Sequence, residues 1–232
     1  MGGAHFQHID DIDDDQWADM PGYKRGLVRP RLFWDGGKGK TLFVTAGFTY
    51  EDRNGGTVGN GTLPPTGLPY HESLTSRSID FGAVAQWVIG EKYLVSGRFA
   101  TARRVHEHTF GEVLEHDKHD TLFSEVTVRR ALGKHTVVGG AAFEADTYDP
   151  DDVPQFRYRH YVPGVFIQDD FDLTSWLSFS VGGRLDHHNV FGTFFSPRIS
   201  ALLRERDGLA ECPGVKDSAL PRHSPKKPKP LG

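Results

Sequence analysis

In one segment after another, apolar and polar side chains alternate with a period of two, and a chain patterned this way forms strands whose two faces meet different surroundings. Leu42, Val44, Ala46, Phe48 and Tyr50 are apolar, while Thr41, Thr45, Gly47 and Thr49 between them are small or polar, with Phe43 as the exception. Ile79, Phe81, Ala83, Ala85, Trp87 and Ile89 stand against Asp80, Gly82 and Gln86. Tyr93, Val95 and Phe99 oppose Ser96 and Arg98, and Leu122, Val126 and Val128 oppose Glu125, Thr127 and Arg129. The clearest run sets Leu177, Phe179, Val181 and Leu185 against Ser178, Ser180, Arg184 and Asp186, and a strand of a dry core would not carry Arg and Asp on one face. Phe195, Pro197, Ile199, Ala201 and Leu203 repeat it against Ser196, Arg198, Ser200 and Arg204. With weaker runs at 29–34, 135–145 and 159–171, the pattern predicts roughly nine strands, each near the ~9 to 11 residues of a tilted membrane strand.

The connections point the same way. Tight turns are expected at 35–39, 90–92, 132–134 and 172–175, where Gly and Asp supply turn dihedrals. They alternate with longer polar segments at 51–76, 103–120, 147–158 and 187–192, expected as loops. Short turns at one end and long loops at the other are how an outer-membrane barrel divides its two rims. Phe48, Tyr50, Trp87, Tyr93, Trp176, Phe194 and Phe195 fall near strand ends, where two aromatic girdles are expected.

Composition permits this reading. Hydrophobic residues make up 37% of the 232, and the mean hydropathy is -0.47. A barrel strand exposes only every second residue to lipid, so a spanning chain can be hydrophilic on average. No stretch approaches the ~18 to 20 apolar residues of a membrane helix. A net charge of -4 without a basic patch argues against nucleic acid as a partner, and the single Cys212 excludes a disulfide framework. No nucleophile elbow, phosphate loop or dinucleotide fingerprint is present, so neither an enzyme nor a cofactor is expected.

Three stretches carry a resemblance. Val162 to Asp170 contains Phe166-Ile167-Gln168-Asp169, Leu177 to Asp186 contains Gly182-Gly183-Arg184-Leu185-Asp186, and Gly192 to Ser200 contains Ser196-Pro197-Arg198. A Phe-x-Gln-Asp strand, a Gly-x-Arg-x-Asp strand and a Ser-Pro-Arg strand follow in that order in TonB-dependent receptors, and Val28 to Trp34 also resembles a strand of their barrels. The similarity covers most of residues 25–204. It implies an antiparallel up-and-down transmembrane β-barrel of about 22 strands, of which this chain supplies a fragment. It further implies energy-coupled uptake of a siderophore- or vitamin-like ligand, such as a metal chelate, across the bacterial outer membrane, where lipid surrounds the barrel. In that family a plug and an N-terminal box engage the TonB complex. Neither is found in this sequence, and no export signal either, so the chain is expected to be incomplete and unable to insert alone. Residues 1–24 are expected as an acidic incoming loop, 25–204 as partial barrel, and 205–232 as a Pro- and Lys-rich irregular tail from an interrupted or shifted reading frame.

Several groups are candidate ligand sites. Asp11, Asp13, Asp15 and Asp19 have the 1, 3, 5, 9 offsets of a calcium loop, although Gln16 replaces the turn glycine and Gly22 the final glutamate. His106, His108, His116 and His119 fall in one expected outer loop, and imidazole suits transition metals. His106-Glu107 does not begin a metalloprotease motif, because Phe110 stands where its second histidine belongs. Lumen-facing Arg98, Arg129, Arg184 and Arg198 would attract an anionic ligand or pair with Glu125, Glu144 and Asp186 in the wall. His106, His108, Arg98 and Arg184 are the residues expected to bind ligand. The competing architecture is a soluble β-sandwich that binds carbohydrate, in which each apolar face meets a second sheet; a further rival, an outer-membrane enzyme, needs a nucleophile and a base at one rim.

Overall fold

The computed structural model describes residues 1–64, 66–205 and 208–209. Among them twelve strands form one antiparallel sheet: β1 Gly2–Gln7, β2 Gly22–Val28, β3 Arg31–Gly37, β4 Lys40–Gly56, β5 His71–Ile89, β6 Tyr93–Phe110, β7 Val113–Leu132, β8 His135–Pro150, β9 Tyr158–Asp172, β10 Leu177–His188, β11 Gly192–Glu205 and β12 Gly208–Leu209. Neighbours in sequence are neighbours in the sheet, the up-and-down order, except that β2 and β3 both pair with β4. These two keep one register on β4, from Val28 opposite Phe48 to Arg31 opposite Thr45. The break between them holds Pro30, which has no N–H to donate, while its carbonyl still accepts from the Ala46 N–H at 3.3 Å. A single 3-10 turn, Pro154–Phe156, is the one helical element among the described residues. Among the described residues no helix is long and apolar enough to cross a membrane.

The register turns the alternation of single strands into continuous rows. Leu42, Ala85, Gly97, Val126, Ala141, Val165, Leu185 and Phe195 are successive partners across β4 to β11, and all are apolar or glycine. One residue along, on the opposite face, the row is Thr41, Gln86, Ser96, Thr127, Gly140, Phe166, Arg184 and Ser196. The apolar face has no second layer against it: Val126, Val165 and Ile199 are 55%, 56% and 77% exposed, and Ala142 is the only buried hydrophobic residue among those described. The sandwich alternative fails on this face, since it requires a covering sheet.

Aromatic residues edge the apolar face. At the tight-turn end, Lys40 lies over the Trp87 ring at 4.9 Å and Arg130 over Tyr93 at 4.8 Å, so each cation reaches outward across an amphipathic ring. Phe194, expected in a girdle, instead shares the polar face with its partner Asp186, while Phe195 is outward.

Three expectations are corrected. The strands number twelve and not about nine, and β4 to β11 run for 12 to 20 residues. They continue well past the apolar band, because ladder hydrogen bonds do not depend on side-chain polarity; segments polar on both faces read as loops when only alternation is followed. The segment 103–120 is therefore no loop but the upper half of the β6–β7 hairpin. Third, residues 1–24 contain β1 and the start of β2, leaving 8–21 as loop; β1 adds to the free edge of β2, with Gly2 opposite Val28. The Pro- and Lys-rich tail lies outside the described residues, as does Cys212.

Candidate functional site

The polar face carries its charges as ion pairs, some between strands and one along a single strand. Arg98 on β6 donates from Nε to Glu125 Oε1 on β7 at 3.0 Å and again from Nη2, and Glu125 is only 8% exposed. Arg184 donates from Nε to both oxygens of Asp186 at 2.9 and 2.8 Å. Arg29 and Asp80 form a two-pronged pair at 2.7 Å for both bonds. Glycines make room for two of these pairs: a Cβ on Gly164 would collide with Asp186 Oδ1, and one on Gly47 with Asp80 Oδ2. Flat ion pairs lying across the sheet leave no space for a side chain beneath them.

Arg98 and Arg184, both expected to bind ligand, line one groove of about 670 Å³ with Gln168, Ser196 and Arg198. The pairing expected within the wall is present for Glu125 and Asp186, whereas Glu144, Arg129 and Arg198 make no ion pair among the described residues. A larger groove of about 810 Å³ lies further toward the long-loop end, lined by Asp80, Phe123, Glu144, Asp146, His160 and His188. Asp146 Oδ1 bonds His119 Nε2 at 2.6 Å and accepts from the Tyr158 hydroxyl at 3.5 Å. Tyr158 stacks on Tyr148 at 5.7 Å and on His160 at 4.5 Å.

His106 and His108 stand on β6 and not in a loop, eight and ten residues from Arg98, or roughly 26 Å and more at ~3.3 Å per residue. The structure therefore does not bring them into the arginine groove. His106 Nδ1 lies 3.0 Å from Asp117 Oδ1, and His108 borders a cavity of about 310 Å³ with Trp17, Arg53, Glu72 and Phe110. Trp17, from the 8–21 loop, stacks on Tyr70 at 5.7 Å, so that loop and the 57–70 loop meet above this cavity. His116 and His119 are on β7 but on opposite faces: His116 faces Glu107 and Asp152 at 3.7 and 3.4 Å, and His119 faces Asp146. Sequence reading did not single out Glu115 and Asp117 as partners of the histidines. The signal was present: Gly111 and Glu112 mark a two-residue turn about which 106–108 and 115–117 are mirror positions.

In the 8–21 loop, Asp11, Asp13 and Asp15 bring carboxylate oxygens within 4.8 Å of one another. Asp19, the fourth expected ligand, is turned to the backbone, where its Oδ2 accepts from the Ile12 N–H at 2.8 Å. The Asp15 N–H donates to Asp13 Oδ1 and favours its ionised form, but the charges of Asp15, Asp19 and Asp11 together leave the Asp13 carboxyl raised above its ordinary value.

Residues 3–210 match the family described as TonB dependent receptor-like, beta-barrel. Among solved structures, the siderophore receptor PirA from Pseudomonas aeruginosa superposes with a TM-score of 0.61 at 14% identity, over 80% of this chain and 31% of that one. A mutant of the ferric enterobactin receptor PfeA from the same organism superposes with a TM-score of 0.55 at 15% identity, over 88% of this chain and 34% of that one. The chain thus spans about a third of the length of these receptors, and at such identity the likeness is one of fold. No curated protein matches it.

Proposed function

The chain belongs to the TonB-dependent receptors, as part of their β-barrel, and we propose that it forms a section of the wall through which an outer-membrane receptor imports a siderophore- or vitamin-like ligand, driven by the TonB complex. The family is one of transport receptors and not of enzymes, and its barrel places the chain in the outer membrane. Chief support comes from the two adjacent register rows, one apolar throughout and one mainly polar across eight strands. The apolar row meets lipid, and the polar row lines the interior.

An anionic chelate is favoured as cargo by the arginine groove, where Arg198 is unpaired among the described residues and Arg98 and Arg184 are held by their carboxylates. With Arg98 and Arg184 offset by Glu125 and Asp186, the net positive charge is that of Arg198, which draws an anion toward the wall without gripping it; removing the two paired guanidiniums leaves their carboxylates bare and repels it. Uptake of labelled ferric chelates and cobalamin-type ligands by cells carrying the whole receptor tests this. Transport should stop when the membrane is de-energised, and Arg98→Gln with Arg184→Gln should slow it while the receptor still reaches the membrane. Uptake that survives de-energisation overturns the coupling, and uptake unchanged in the double variant overturns the role of the arginines.

A further inference from the structure

We infer that the upper β6–β7 hairpin holds a binding site for a divalent transition ion of zinc-like chemistry, with His106, His108 and Glu115 as ligands and Asp117 as the group that orients His106. The site is independent of what the receptor carries.

The register places the four residues as neighbours on one face, although among the described residues only Asp11, Asp13 and Asp15 already have three ligand atoms within 4.8 Å of one another. His106 stands opposite Asp117 and His108 opposite Glu115. Partners across a ladder share a face, as do residues two apart on a strand, so all four lie on the polar face in a two-by-two array. The ring centroids of the histidines are 6.0 Å apart. Two imidazoles bound tetrahedrally to one zinc at ~2.0 to 2.1 Å place their centroids about 5 Å apart, a gap that side-chain rotation closes.

The chemistry of the His106–Asp117 contact sharpens the assignment. An ionised carboxylate only accepts, so at 3.0 Å the imidazole Nδ1 carries the proton and donates to Asp117 Oδ1. In the neutral ring, Nε2 is then left with a free lone pair. Fixing one ring nitrogen on a carboxylate so that the other can ligate is the usual support of a metal-bound histidine. The pair is partly shielded, with side chains 26% and 18% exposed, and Glu115 supplies an anionic oxygen beside the neutral nitrogens. Two nitrogens and one oxygen suit a borderline cation and leave a fourth position for water or another donor. On the opposite face His116 is already engaged with Glu107 and Asp152, which leaves it outside the set.

The test uses the whole receptor in detergent micelles, its strand content followed by circular dichroism, and zinc chloride titrated against a chromophoric chelator. His106→Gln, His108→Gln and Glu115→Gln should each weaken zinc binding by about ten-fold or more, and Asp117→Asn by roughly 10- to 100-fold. His135→Gln, whose imidazole meets Asp169 at the tight-turn end, should change nothing. Equal affinity in all variants overturns the site. If a ligand variant does not fold, the unaltered receptor decides: zinc should slow acylation of His106 and His108 but not of His135, and equal rates with and without zinc overturn the inference.

Discussion

Val126→Arg and Thr127→Arg place the same charge one residue apart on opposite faces of β7, and a wall with one face in lipid and one in water demands very different costs for the two. Val126 belongs to the apolar row, 55% exposed between Gly97 and Ala141. On the same face of β7 the flanking charges are Arg130 and Asp120. Ten residues at ~3.3 Å, tilted about 40°, rise about 25 Å, which is the height of a barrel's apolar band. Val126 then sits about 10 Å from its lower border, close to the midplane. An arginine there costs about 2–4 kcal/mol, or roughly 30- to 900-fold in the folding equilibrium at 1.36 kcal/mol per ten-fold. Thr127 lines the arginine groove beside Glu125, and an arginine there faces water, so its cost should stay within about 1 kcal/mol. The assay is urea unfolding of the whole receptor in lipid vesicles, followed by tryptophan fluorescence, with equal denaturant slopes for both variants. Equal costs for the two substitutions, or a cost below about 1 kcal/mol for Val126→Arg, would refute the assignment of faces.

Two further outcomes follow from local geometry. Gly164→Val drives a Cβ into Asp186 Oδ1 and should destabilise by about 1–3 kcal/mol, whereas Gly97→Ala meets nothing within 4 Å and should be nearly neutral in the same unfolding assay. The Asp13 carboxyl should titrate above the 3.8 of an ordinary aspartate in a carbon-detected NMR titration. A raised value means that the loop favours the protonated form: its contribution is present below the ordinary value and is lost as pH rises through the raised one. A midpoint at or below 3.8 contradicts the crowding of Asp11, Asp15 and Asp19 around it.

Particular residues show how far the candidate site was legible. Arg98, Glu125, Arg184 and Asp186 were recognisable as charges on the wet face of their strands and as possible partners, without being matched one to one. Which carboxylate each arginine would take, and that Arg198 and Arg129 would pair with none among the described residues, was not legible, because cross-strand partners depend on register and register is a property of two strands. Asp11, Asp13 and Asp15 do converge, but Asp19 was lost to a backbone N–H whose position offsets do not encode. His106 and His108 were noticed for their chemistry and misplaced in a loop.

The sequence by itself determined the fold class, the division of each strand into an apolar and a polar face, and the positions of the tight turns at one end of the sheet, though not the turn at Gly111 and Glu112. Those properties are local: alternation is written residue by residue, and a two-residue turn is closed by its own dihedrals. Only the tertiary structure decided how far the strands run beyond the apolar band and that β1 joins the edge of β2. These are set by backbone hydrogen bonding between segments, which every residue but proline can donate to, and which leaves no trace in side-chain pattern once both faces are polar.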